Sequence, residues 1–392
     1  MLQGALMHIQ FVPDTLTKLT QMGDVTLYEP AGDQPMAEKA SARYQSRSLT
    51  ECITHLKTPT GDKPVLKTMI TTACERDCFY CPFRAGRGKT KRVTITPDQL
   101  AAAFDQMQRG GQVDGLFLSS GIIKGSVTTQ DKIIDTVEII RKRYGYGGYI
   151  HLKIMPGAER DQLYRAMQLA DRISVNLEAP TQERLNALAP KKDFTTELLN
   201  MLTLAKQIKG EHPDEKLANT VTQFVVGAVG DTDLELLSVS ERLHRQLGVV
   251  RAYYSAFNPV MHTPLENMPA TPPIREFRLY QSSFLLRDYK WDVEDLPFTD
   301  NGNLRTDVDP KRAWADLHLR HQPVEIMTAS REQLMRVPHI GPLGADAIIA
   351  ARRKGRINDL SHLHKLGIRA PEQAAPYILL SGRKPPTQLS LF

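Results

Sequence analysis

Between residues 64 and 290, six short runs rich in β-branched residues alternate with amphipathic helical stretches, and this alternation leaves few architectures open. The runs cover residues 65–71, 115–119, 149–154, 172–177, 219–226 and 249–255. Helical patterns follow each of them. Thr96, Pro97 and Gln99 supply an N-cap, a first-turn proline and a capping-box partner for a helix to about residue 109. Ile133, Ile134, Val137 and Ile140 repeat at helical spacing within 130–144. Further helices are expected over 159–170, 181–208, 233–247 and 273–289. Strands separated by helices must lie parallel, joined by right-handed crossovers. Six repeats fall short of a closed eight-fold barrel, so the expected fold is α/β, a partial (β/α)6-type barrel. Its site should lie at the C-terminal ends of the strands.

Around this core the chain divides further. Residues 1–60 are a segment of uncertain structure, with a short helix near 15–22 and a polar stretch over 30–47. The barrel occupies 61–293, and a linker or lid rich in Asp, Asn and Pro covers 294–324. A small all-α domain follows over 325–382, then an extended tail over 383–392 containing Pro385 and Pro386. No apolar stretch approaches the ~18 residues of a membrane span. The first twenty residues lack the order of a signal peptide. A soluble, cytoplasmic protein with no membrane partner is therefore expected. The net charge is +6. Residues 325–392 hold ten Lys and Arg against five acids, so this last sixth of the sequence carries most of it, which suits a polyanionic partner.

The chain has four cysteines, too few for a disulfide scaffold, and three fall within eight residues. Cys74, Cys78 and Cys81 have the spacing C-x3-C-x2-C on the loop after the first expected strand. Three thiolates can ligate three irons of a cubane and leave the fourth iron open for a substrate or cofactor. A zinc site or three packed thiols is the competing reading, but the loop offers no histidine as a fourth ligand. With Tyr80 directly before the last cysteine, the segment resembles the radical S-adenosylmethionine (SAM) superfamily over roughly residues 64–290.

That resemblance implies a [4Fe–4S] cluster on Cys74, Cys78 and Cys81, with SAM chelating the open iron. One-electron cleavage of SAM would give methionine and a 5′-deoxyadenosyl radical that abstracts hydrogen from the substrate. It also implies an electron donor such as flavodoxin or ferredoxin. SAM contacts carry over to Tyr80, Ser119, Ser120 and Gly121, although the second-strand motif here lacks the common acidic residue. Ser174, Asn176 and Glu178 match the fourth-strand positions, and Val226-Gly227 matches the adenine-side turn. His151 and Lys153, two apart on one strand, would share the inward face. Arg84, Arg87, Lys89, Lys91 and Arg92 crowd the cysteine loop as a phosphate grip or as a solvated loop. No residue is assigned to catalysis on substrate. Cys52 is either a buried small hydrophobe or a hydrogen donor or radical relay.

In the C-terminal domain Ser330 and Gln333 form a capping box for a helix from Arg331. Val337-Pro338-His339-Ile340-Gly341-Pro342 then turns into a second helix, a pattern that resembles a helix-hairpin-helix DNA-binding motif. His339 replaces the usual first glycine, and histidine tolerates positive φ better than most residues. A degenerate second copy has Lys365-Leu366-Gly367-Ile368 as its hairpin. The expected nucleic-acid contacts are His339, Gly341, Gly344, Arg352, Arg353, Lys354, Arg356, Lys365 and Gly367. The terminal Gln388, Leu389, Leu391 and Phe392 resemble the peptide by which bacterial repair proteins dock on the β sliding clamp. The whole is similar to a family of radical SAM proteins associated with DNA modification or repair. The function this implies is a radical reaction on a nucleotide in DNA, by a bacterial protein that is nucleoid-associated when DNA-bound. RNA or a free nucleotide as substrate, or a non-catalytic iron–sulfur sensor of DNA damage or redox state, are the alternatives.

Overall fold

The computed structural model describes residues 14–22, 52–58, 61–87 and 92–385. The chain divides into two compact units, Met1–Gly230 with Leu247–Thr271, and Asp231–Gln246 with Pro272–Phe392.

The first unit is built on one seven-stranded sheet: β1 (Ile53–Thr58), β2 (Gly61–Met69), β3 (Gly115–Ser119), β4 (Tyr149–Lys153), β5 (Arg172–Ser174), β6 (Asn219–Val226) and β7 (Arg251–Ala256). Spatial order equals chain order, β1 through β7. All pairings are parallel except β1–β2, which is an antiparallel hairpin. The sheet curls into the expected partial barrel, with side chains of alternating positions such as Met69, Ser119, Lys153 and Gln223 turned to its concave face. Its other face is apolar: Leu116, Ile150 and Ile173 are completely buried, each worth roughly 1.5–3 kcal/mol of burial.

Helix α1 (Thr15–Gln21) is capped by Asp14, and its Leu19 is buried. Helix α2 (Pro97–Arg109) has the full Thr96–Gln99 capping box and buries Leu100, Phe104 and Met107. Then come α3 (Ser126–Glu138), α4 (Arg160–Leu169), α5 (Gln182–Leu188) and α6 (Asn200–Glu211). Two stretches read as ordinary helix, Ile139–Arg143 and Phe194–Leu199, wind as π-helix.

The sequence reading also departs from the structure at the first strand and at the end of the fourth expected one. β1 was not expected. The run 172–177 is strand only to Ser174, after which the chain reaches a positive φ of 66° at Glu178. Cys52 is wholly buried, its thiol donating to the Leu19 carbonyl at 3.1 Å, and it is not among the residues lining the pocket described below. It sits there as a small core residue, the first of the two readings offered for it.

The second unit contains α7 (Asp233–Leu247, all but its last residue), α8 (Pro273–Asp288), α9 (Pro310–His318), α10 (Arg331–Arg336), α11 (Pro342–Arg352), α12 (Leu360–Lys365) and α13 (Pro371–Ala374). Short strands β8 (Val324–Glu325) and β9 (Ile378–Leu379) pair in parallel. Ala315, Ile326, Leu334, Ile340, Ile348 and Tyr377 belong to its core. The stretch expected as a linker or lid therefore contributes packed structure. Asp309 caps α9, Pro310 starts it, and Ala315 and Leu319 enter the core. Arg336 ends α10 between the chain's two tryptophans, 4.1 Å from the Trp291 ring and 4.9 Å from Trp314, and bonds Asp295 at 2.7 Å. Among the described residues no helix is long and apolar enough to cross a membrane.

Candidate functional site

After β2 the chain forms a loop without regular structure, whose carbonyls need donors. Arg92 supplies them. Its guanidinium reaches the carbonyls of Thr72 (2.7 Å), Phe83 (2.9 Å), Arg84 (2.9 Å) and Arg87 (3.4 Å). Arg87 bonds the carbonyls of Pro82 (2.7 Å) and Met261 (3.0 Å). Arg84 reaches the Asp77 carbonyl at 3.4 Å and lies over the Phe79 ring. The expected phosphate grip is thus corrected for these three arginines: a planar guanidinium with five donors satisfies an irregular backbone, and here that is its use. Lys89 and Lys91 lie outside the described residues.

This brace presents Cys74, Cys78 and Cys81 to one pocket at the C-terminal ends of the strands, with about 880 Å³ of empty space counting its mouth to solvent. Ser119, Ser120 and Gly121 line it from the end of β3, Lys153 from β4, and Asn176 and Glu178 from the turn after β5. The Gly121 amide donates to the Thr71 carbonyl at 2.8 Å, and a Cβ at Gly121 would stand 2.2 Å from the Ala73 carbonyl oxygen. Only glycine allows the cysteine loop to sit this close to β3. Main-chain amides of Ile122 and Phe83 donate to the sulfurs of Cys74 and Cys81, each at 3.4 Å. Such bonds favour thiolates. Burial pushes the Cys78 and Cys81 thiols up, with Lys192 pulling both back. Loss of the proton therefore awaits a metal, as thiolate ligation requires.

Buried polar atoms in and below the pocket lack hydrogen-bond partners among the described residues: Asn176 Oδ1, Glu178 Oε2, Ser174 Oγ and His151 Nε2. A wall with unsatisfied acceptors and donors suits a polar ligand, and the three thiols on one braced loop suit a cluster. The residues present therefore fit both cofactors. Among the described residues no group of three or more His, Cys, Asp or Glu is gathered tightly enough for a single metal ion. A cubane spreads its ligands over separate irons, so the cysteine arrangement does not conflict with it.

Of the expected SAM contacts, Tyr80, Ser119, Ser120, Gly121, Asn176 and Glu178 meet at the pocket. Ser174 and the pair Val226-Gly227 do not line it. The Val226 carbonyl instead accepts from the Phe257 amide (3.0 Å) and the Thr271 hydroxyl (2.7 Å). Lys192 was missed. Its Nζ lies 2.8 Å from Glu178 Oε1, with both side chains under 10% exposed. Burial would raise Glu178, but Lys192 and Lys153 hold its carboxyl below the ordinary range. Burial would likewise lower Lys192, but Cys78 and Glu178 hold it above the ordinary lysine value. The signal available was the buried-looking Glu178 itself, which demanded a cation, and Lys191-Lys192 follow it by only fourteen residues. Burial, followed by Glu178, pushes the Tyr80 phenol well up.

In the second unit both hairpins form. α10 carries the Ser330–Gln333 capping box, His339 takes φ +65°, and Gly341 caps α11. Gly367 takes φ +87° after α12. The hairpins pack together so closely that a Cβ at Gly344 would meet Ile368 Cδ1 at 2.6 Å. His339, Arg353, Lys354, Arg356, Lys365 and Gly367 are exposed. Arg352 is turned inward, donating to the carbonyls of Ala329 (2.7 Å) and Ile326 (3.2 Å). Gln388, Leu389, Leu391 and Phe392 lie outside the described residues.

Residues 68–243 match the radical SAM superfamily model, and residues 320–379 match the helix-hairpin-helix motif. No curated protein sequence matches. Similar solved structures include the [FeFe]-hydrogenase maturase HydG from Carboxydothermus hydrogenoformans (15% identity, TM-score 0.46, 56% of this chain and 50% of that one). Methylornithine synthase PylB is 18% identical at TM-score 0.45, over 56% of this chain and 60% of that one. A radical SAM methyltransferase from Sphaerobacter thermophilus is 15% identical at TM-score 0.44, over 60% and 66%. The chain thus spans between half and two thirds of the length of these structures. Residues 68–243 thus carry a radical SAM domain and residues 320–379 a helix-hairpin-helix motif, and the braced cysteine loop fits the [4Fe–4S] cluster and SAM that such a domain implies.

Proposed function

We propose that the protein uses radical SAM chemistry to repair or modify a nucleotide in DNA, held through its helical hairpins. The observation that carries this reading is the presence, in one chain, of the cysteine pocket and two hairpin turns flanked by exposed cations. Hairpin amides and helix N-termini bind phosphate without reading bases, so they would hold a duplex independent of sequence. A base inside a duplex is inaccessible, so the target would be a damaged, single-stranded or extruded nucleotide.

In this reading Cys74, Cys78 and Cys81 hold the cluster, and Ser120, Asn176 and Glu178 offer polar contacts to SAM. Cluster and SAM supply one-electron cleavage and hydrogen-atom abstraction when bound. The chain's own work is to position and shield. Gly121 admits the loop, the Arg92 brace fixes it, and the Glu178–Lys192 pair keeps the wall's charge balanced. A low-potential donor such as flavodoxin or ferredoxin would feed the cluster, and the terminal Gln388–Phe392 segment would dock on a bacterial sliding clamp.

The test is anaerobic reconstitution with dithionite and SAM, measuring 5′-deoxyadenosine with damaged duplex, single-stranded DNA, RNA or no nucleic acid. Production that rises with DNA and vanishes in Cys74→Ala supports the reading. A rise with RNA alone moves the substrate to RNA. No product from a spectroscopically intact cluster favours a sensor.

A further inference from the structure

The first hairpin rests on a cation that its own motif does not contain. Lys311 lies in the first turn of α9, outside the matched residues 320–379. It is 8% exposed, and its Nζ lies 2.6 Å from the carbonyl oxygen of Ile340, within the turn. The same ammonium stands 4.6 Å from the centre of the Tyr289 ring. Tyr289 in turn packs on the hairpin backbone, since a Cβ at Gly341 would meet its hydroxyl at 3.1 Å.

Among the described residues no carboxylate bonds this ammonium. Asp309, on its own helix, caps Arg312 N at 3.1 Å and acts on Lys311 only through space. From α8's end it faces the Tyr289 phenol, and from the hairpin it faces the main chain, with the exposed His339 one residue away from the bonded carbonyl. An ammonium taken from water without a counter-charge is costly, whereas an apolar side chain of the same length would fill this space without that cost. Packing therefore gives no reason for a lysine. The ammonium does two things an apolar chain could not: it satisfies a turn carbonyl, and, while protonated, it sets a positive charge behind the turn that opens α11, whose first amides have no intrahelical partner.

We infer that Lys311 is the positioning residue and built-in cation of the first hairpin's phosphate grip, so that a residue outside the motif sets how tightly the motif holds nucleic acid. The inference rests on the reading of the hairpins as nucleic-acid-binding. Burial pulls the ammonium down to about 7, so the charge behind the turn is present at mildly acidic pH and lost as pH rises. A nearby phosphate draws the value up again.

Fluorescence anisotropy of the full chain against a labelled duplex, at fixed low salt from pH 6 to 9, tests this. Wild type should bind and weaken as pH rises. Lys311→Met should bind at least tenfold more weakly at pH 6.5, with a flat profile and an unchanged or higher melting temperature. Lys311→Arg, permanently charged, should hold tight binding across the range. His339→Asn, which keeps the left-handed turn accessible, should keep the wild-type fall. The inference is overturned if Lys311→Met matches wild type in affinity and profile, or if the fall disappears in His339→Asn instead. Should Lys311→Met fail to fold by circular dichroism, Lys311→Arg decides: a wild-type fall overturns the inference, and a flat, tight profile supports it. A wild type that binds no duplex at any pH removes the hairpin reading itself.

Discussion

Lys192 and Lys311 are both buried lysines, and they behave in opposite ways. Lys192 meets a carboxylate at 2.8 Å and lies near the Cys78 thiol, so its charge is held. Lys311 meets a main-chain carbonyl and the Tyr289 ring but no carboxylate among the described residues, so burial dominates and brings it down to about 7. The difference is in company rather than depth. Where anionic ligands are built in, the cation is a permanent part of the wall. Where the anion would arrive from outside, the cation is left titratable until it comes.

Removing each lysine should separate the two cases most sharply. Lys192→Met leaves Glu178 buried beside the thiols with its nearest counter-charge gone, and should cost about 3–5 kcal/mol in urea unfolding followed by circular dichroism. Adding Glu178→Gln should recover most of that loss. If Lys192→Met unfolds with the wild-type midpoint, the pair is not what balances the pocket wall.

A comparable effect comes from pH. The Lys311 value in the folded chain lies below that of an unfolded lysine, so between about 7 and ~10.4 the unfolded chain holds a proton the folded chain has released. Stability therefore rises with pH across that window, by roughly 4–5 kcal/mol. Tryptophan fluorescence follows it directly, because Trp291 and Trp314 both belong to the second unit. Lys311→Met should flatten the rise, and a slope that survives the substitution would assign it elsewhere.

The smallest change concerns the turn above Lys311. His339 at φ +65° bears a left-handed strain that glycine would not, so His339→Gly should stabilise by about 1 kcal/mol in the same fluorescence assay. A loss of stability would mean that the imidazole itself is held by the fold.

The features legible in the sequence are those decided locally. The six parallel strands followed from β-branched runs, the Thr96–Gln99 and Ser330–Gln333 boxes from three-residue spacing, and the cysteine loop from eight consecutive residues. Even the positive φ of His339 followed from its place in a glycine-type turn. What stayed hidden was decided by partners far along the chain. Lys192 is an ordinary lysine until the turn after β5 brings Glu178 to it. The basic run near the cysteines looked outward-facing because a sequence does not show which carbonyls a loop leaves unpaired. Lys311 was invisible for the same reason: its partner carbonyl is 29 residues away. β1 also went unread, although its pairing among the described residues is the local hairpin with β2.

Each strand of the first unit pairs with the strand before it in the chain, so the sheet can grow as it leaves the ribosome, with no strand waiting to be inserted later. The order of arrival has a consequence for the thiols. Cys81 emerges 111 residues before Lys192, an interval of roughly 5–20 s at ordinary elongation rates. During that time the sulfur ligands are present while the wall that will cover them is not yet made. The nascent chain thus passes through a stage in which the three thiols proposed to hold the cluster are most open both to delivery of iron and to oxidation.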